Sequence, residues 1–141
     1  MKIRLLIATP DSESKNLLHS LVSAAMEMVP LDLEIADADN LPELVMRSID
    51  QLDDLLLLDW QLAGAETPDH LRDLLALNPK LRVIALLPLE LRQYRQCLWQ
   101  AGACTSIPKE HLDQEWLSSV LCLINRAMER EERLRKSLVR N

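Results

Sequence analysis

An aspartate closes the most apolar run of this chain. Asp54-Leu55-Leu56-Leu57-Leu58-Asp59-Trp60 sets four leucines directly before Asp59. A run this short and apolar reads as a strand buried on both faces, as in parallel sheets. In an open parallel sheet, chemistry collects in the crevice outside the carboxyl ends of the strands, where Asp59 would release its side chain. A carboxylate held there can serve as a nucleophile. Aspartate also opens turns and caps helices, so the segment alone leaves both readings open.

The other reactive residue types form no constellation. His19, His70 and His111 share no ligand spacing and are expected as solvated residues. Cys97, Cys104 and Cys122 are odd in number, lack metal-ligand spacing and lie in apolar stretches, which predicts small buried thiols. Trp60, Trp99 and Trp116 are expected in the core or at its rim; alternatively Trp60 covers the pocket beside Asp59, and Tyr94 with Trp99 faces a partner. With only 2 glycines, the chain holds neither a GxGxxG turn nor a P-loop. Dinucleotide and NTP enzymes are thereby removed.

The elements that must position Asp59 follow from composition and periodicity. At 141 residues and 48% hydrophobic content the chain predicts one domain with a real core, built without phenylalanine from Leu, Ile, Val, Met and Ala. No apolar run approaches the roughly 20 residues of a membrane span. Lys2 and Arg4 are followed too soon by Thr9, Pro10 and Asp11 for a signal-peptide core, so a cytoplasmic location is expected. The net charge of -6 argues against a nucleic-acid surface.

Short apolar strands are predicted over 3–8, 31–36 (alternating, as at a sheet edge), 55–58, 82–87 and 103–107. Helices are predicted over 12–28, 41–49, 69–77, 89–101 and from about 112 almost to the C-terminus, with Asp11 or Ser12 and Asn40 as caps and Gly102 as a terminator. Five strands alternating with five helices make an α/β, flavodoxin-like, doubly wound parallel sheet of order 2-1-3-4-5, with an extended C-terminal helix.

At this point the chain resembles the receiver domain of two-component response regulators, over roughly residues 3 to 125. Asp59 with Trp60-Gln61 looks like the phospho-acceptor and its following residues. Gln100-Ala101-Gly102-Ala103, ahead of Lys109, looks like the signature that leads to the family's lysine on strand five. The resemblance implies phosphoryl transfer to Asp59, a Mg²⁺ ion held by hard oxygen ligands, and Lys109 pairing with phosphoryl oxygens. Gln61 stands at the position whose backbone carbonyl completes the metal site.

The rest of the pattern departs from the family. Thr9 and Pro10 occupy the positions of its acidic pair, and Asp11, one residue on, either reaches the ion or caps the first helix. Leu87 stands where a hydroxyl would contact the phosphoryl group, and Ser106 where an aromatic would swing. Pro88 and Pro108 stiffen the neighbouring loops, and the bond before Pro108 is open to either isomer. The cofactor expectation is therefore none, or weakly bound Mg²⁺ at Asp11, Asp59 and Gln61.

The C-terminal helix is the second informative feature. Leu117, Val120, Ile124, Ala127, Glu131, Leu134 and Leu138 follow heptad spacing with one polar member. This divides the chain into a receiver-like domain (1–126) and a helical extension (127–141) that dimerises, leads into an output domain, or frays as a charged tail. Leu91, Tyr94, Trp99, Ala127, Leu134 and Leu138 are the expected interface residues.

The expected function is a receiver-like signalling module acting mainly by protein-protein interaction, with phosphorylation at Asp59 compromised. Its partners would be a sensor kinase, a regulator, an output domain or a second copy in a weak homodimer, without nucleic acid or membrane. A competent Mg²⁺-dependent phospho-acceptor switch is one alternative. A small hydrolase using Asp59 as nucleophile is the other; it lacks a recognisable general base.

Overall fold

Leu55 to Leu58 have no polar face to turn outward, and β3 (Leu55–Asp59) is buried along its whole length. It forms the middle of a five-stranded parallel sheet of order β2-β1-β3-β4-β5. The computed structural model describes residues 2–140. The remaining strands are β1 (Lys2–Ala8), β2 (Asp32–Ala38), β4 (Arg82–Leu87) and β5 (Thr105–Pro108). The helices are α1 (Ser12–Met28), α2 (Leu41–Asp50), α3 (Thr67–Leu77), α4 (Arg95–Gln100) and α5 (Gln114–Arg140).

Strand side chains alternate between faces, so the four leucines serve two cores. Leu56 and Leu58 join Leu6, Val83 and Ala85 against Leu44 of α2, Leu71 and Leu74 of α3 and Leu98 of α4. Leu55 and Leu57 join Leu5, Ile7 and Ile84 against Leu18 and Val22 of α1 and Leu117 and Leu121 of α5. A strand with apolar residues on both sides can sit only between two such layers.

Local signals set the helix boundaries. Asp11 caps α1 by accepting from the Glu13 amide at 3.2 Å, and Asn40 caps α2 by accepting from the Glu43 amide at 2.9 Å. Gly102, at φ +114°, turns the chain out of α4 in a conformation that a side chain would strain, and an added Cβ would run into Leu75. That turn delivers the chain to β5 and to Lys109 beyond it.

Two expectations are corrected. The single helix over 89–101 is instead a 3-10 segment, Leu89–Tyr94, followed by the short α4. Leu91 leaves helical geometry (φ -105°, ψ 18°), and the three-residue turn brings Leu91 and Tyr94 onto the core together. The thiols are not all buried: Cys97 and Cys104 are exposed and Cys122 half-buried, all three unbridged. Along α5 the heptad seam is divided as the domain boundary near 126 implies: Leu117, Val120 and Ile124 pack into the domain's own core.

Helix α5 stays with the body further than its first three turns. Met128 packs on the core beneath α1, and Glu131 pairs with Arg82 of β4. Only about the last two turns, from Arg133 onward, project as overhang, roughly 12 Å of helix. Leu134 and Leu138 are exposed there. Among the described residues no peptide bond is cis, so the bond before Pro108 is trans, and no helix is long and apolar enough to cross a membrane.

Candidate functional site

The carboxyl ends of β1, β3 and β5 bring Thr9, Asp59 and Lys109 together. Asp59 is the last residue of β3, and its side chain is 0% exposed. A buried carboxylate must have its oxygens satisfied, and here each one is. Oδ1 accepts from the Gln61 backbone amide at 2.9 Å, which also starts the 3-10 turn Trp60–Leu62. Oδ2 accepts from the Thr9 hydroxyl at 2.7 Å and lies 2.7 Å from the Lys109 ammonium.

Lys109 follows β5 directly and is drawn inward, with its side chain 17% exposed. Its Nζ donates to Gln61 Oε1 at 3.0 Å and lies 3.9 Å from Asp11 Oδ2. Three oxygens from two segments, the end of β3 and the loop after β1, thus surround one cation. Asp11 is engaged elsewhere: Oδ1 accepts from Glu13 N and Oδ2 from the Ser14 hydroxyl at 2.6 Å. That Ser14 bond, opposed in part by desolvation, holds the Asp11 carboxyl below the usual aspartate range.

The magnesium ion implied by the resemblance requires free hard-oxygen ligands. Every oxygen of Asp59 and Asp11 already accepts a protein donor, and the ammonium of Lys109 lies between the two carboxylates. Among the described residues no three carboxylate, imidazole or thiol side chains converge on one point. The residues present do not fit that ion.

The other positions singled out from sequence lie around this pocket or away from it. Pro10 is exposed, and Leu87 is buried in the core beneath α2 to α4. Ser106 lies on β5 and accepts from Arg95 Nε at 3.3 Å, outside the Asp59 pocket. Trp60 is buried and packs its ring 5.0 Å from that of Tyr94, which is half-buried against the same core. Leu91 is likewise packed inward, while Trp99 is exposed. His19 pairs with Asp37 and His70 lies near Glu66, far apart along the chain and on different helices.

Two contributors escape a sequence reading. Thr9 looks like a lost carboxylate, yet its hydroxyl is the donor that seals Asp59. Glu110 caps the 3-10 segment after β4, accepting from the Leu89 amide at 2.9 Å. The signal was available only weakly: Pro88 precedes Leu89 and has no side-chain oxygen to cap it, so an acceptor from another loop is required.

No family model matches the chain, and no curated protein matches it. Solved structures do. A two-component response regulator from Clostridium difficile superposes with TM-score 0.76 at 17% identity, over 89% of this chain and 98% of its own. The signal receiver domain of a DNA-binding response regulator from Colwellia psychrerythraea 34H gives 0.73 at 16%, over 88% and 98%. The receiver domain of a sensor histidine kinase from Pseudomonas aeruginosa PAO1, with a magnesium ion coordinated in its active site cleft, gives 0.69 at 16%, over 86% and 95%. The chain therefore has the receiver fold.

Proposed function

We propose that this chain is a receiver-like signalling module that works through protein contacts, and that Asp59 is a fixed structural carboxylate instead of a phosphoryl acceptor. The observation that carries this reading is the Lys109 ammonium 2.7 Å from Asp59 Oδ2. In the family that the sequence resembles, lysine and metal act together on an incoming phosphoryl group. Here one ammonium fills the space between the carboxylates and neutralises Asp59 directly. An incoming phosphate would meet a buried carboxylate with no divalent cation to offset charge repulsion. The same enclosure argues against a hydrolytic role, since a nucleophile must reach its substrate.

A protein-binding module needs a surface, and the overhang of α5 offers one. Leu134 and Leu138 continue the seam that Leu117, Val120 and Ile124 began, but without a partner from the body. Glu129, Arg130, Glu132, Arg133, Arg135 and Lys136 flank it with both signs of charge, as in helices that pair in register. Two turns are marginal alone, so a weak homodimer through this segment is the expected state.

The test of the pocket is intact mass after incubation with acetyl phosphate and Mg²⁺, with a beryllium-fluoride titration alongside. No adduct at Asp59 and no saturable Mg²⁺ effect are expected. Stoichiometric phosphorylation that disappears in Asp59→Asn would overturn the fixed-carboxylate reading.

A further inference from the structure

A large cavity lies away from Asp59, between the segment around α4 and strand β5. It is an open groove of about 510 Å³, within the usual size range for small-molecule sites. Arg92, Arg95 and Trp99 follow one another at spacings of three and four, which places them along one side of a helical segment. Thr105 and Ser106 of β5 form part of the opposite wall.

Three features point to a ligand. Among the described residues no carboxylate lies within salt-bridge distance of Arg92 or Arg95, although the chain as a whole carries a net charge of -6. Arg95 is held in place, with its Nε donating to Ser106 Oγ at 3.3 Å, so its terminal nitrogens are pre-oriented. Trp99 is 68% exposed, where an indole would ordinarily be covered. Tyr94, Leu91 and Trp60 are all packed inward on the same side of the sheet. Trp99 is the aromatic that the core leaves out.

We infer that this groove binds a nucleotide, with its phosphate between Arg92 and Arg95 and its base stacked on Trp99. Guanidinium forks match phosphate oxygens in a bidentate way. An exposed indole offers a flat face to any base. An acidic peptide would use the arginines but leave the indole without a role, so a nucleotide accounts for more of the groove. It shares no residue with the Asp59 pocket.

AMP is the probe, followed by calorimetry and by quenching of tryptophan fluorescence, with adenosine, inorganic phosphate and an oligo-glutamate peptide as comparisons. AMP should bind saturably, with adenosine and phosphate each weaker by about tenfold or more, because each retains half of the contacts. Arg92→Ala with Arg95→Ala, and separately Trp99→Ala, should each weaken AMP by about tenfold, while Trp99→Phe restores most of the stacking. These side chains lie at the surface, and circular dichroism checks that each variant is folded. Cys104 lines the groove, so in a Cys97→Ser, Cys122→Ser background AMP should also slow its alkylation. No saturable binding of AMP at millimolar concentration, AMP binding that survives the variants, or displacement of AMP by the oligo-glutamate peptide at lower concentration would each overturn the assignment.

Discussion

Asp53, just before β3, and Asp59, at its end, are both buried carboxylates paired with a cation, yet the two ends of the strand are built differently. Asp53 meets Arg47 of α2 through two parallel bonds, Nε to Oδ2 at 3.1 Å and a terminal nitrogen to Oδ1 at 2.9 Å. Its backbone carbonyl accepts from Asn78 Nδ2 at 2.8 Å. The cation stands only six residues away in sequence, and its charge is reinforced by that pairing, which raises the Arg47 pKa despite partial desolvation. Asp59 instead recruits Lys109 from the far side of β4, and that ammonium is shared with Gln61 and lies near Asp11.

The contrast separates a brace from a filled site. A guanidinium fork matches both oxygens of one carboxylate and fixes a corner where helix, loop and strand meet. An ammonium is a compact point charge that several oxygens can surround, which is also what a small divalent cation does. At the amino end of β3 the geometry suits only a structural pair. At the carboxyl end the crevice outside the strands holds the Lys109 ammonium against Asp59.

Breaking the cations tests the comparison most severely. Lys109→Met leaves the Asp59 charge buried without a partner and should cost about 3–5 kcal/mol of unfolding free energy in urea. Adding Asp59→Asn to that variant should recover more than half of the loss, because the stranded charge is then gone. A double variant no more stable than Lys109→Met would break the pairing argument. Arg47→Met should cost somewhat less, about 2–3 kcal/mol, since the partner side chains at that corner reach closer to solvent. A larger loss there than at Lys109 would reverse the ranking of the two ends.

Smaller changes sharpen it. Asp59→Asn alone removes the charge and keeps one acceptor oxygen, so that either the Thr9 hydroxyl or the Gln61 amide loses its acceptor, for an expected loss of about 1–3 kcal/mol. A melting curve identical to that of the parent would mean that Lys109 finds equal compensation elsewhere. The smallest effect concerns Asp11. Its carboxyl titrates below its unfolded value because of Ser14, so its contribution is present above the unfolded pKa and is lost as pH falls through the depressed folded one. The difference in melting temperature between Ser14→Ala and the parent should therefore shrink as pH drops below the ordinary aspartate range. A difference that stays constant with pH would remove Asp11 from the linkage.

The resemblance to a receiver rested on few residues but on a dense pattern. The leucine run, the alternation of strand and helix signals and Gly102 before Lys109 were enough to predict five parallel strands in the order observed. Asp11 and Asn40 could be assigned as caps because capping is a local matter of one side chain and one nearby amide. The broken helix near Leu91 could not be read in the same way. A helix pattern and a 3-10 pattern share the same residue types, and packing of Leu91 and Tyr94 against the core decided between them. The exposed thiols were misread for a related reason: an apolar neighbourhood in sequence does not say which side of a short element faces out.

By itself the sequence determined the alternation of five strands with helical segments, and that Asp59 and Lys109 lie at the ends of two strands of one sheet. Those properties follow from hydrophobic period and from the steric rules for turns, both of which act over a few residues. Only the tertiary structure decided what occupies the crevice between them. Thr9 and Lys109 come from segments fifty residues away from Asp59 on either side, and their bonds to it depend on how the ends of parallel strands are placed beside one another. The same holds for α5, whose seam is divided between self and surface by the contact of Glu131 with Arg82, a pairing that no local pattern encodes.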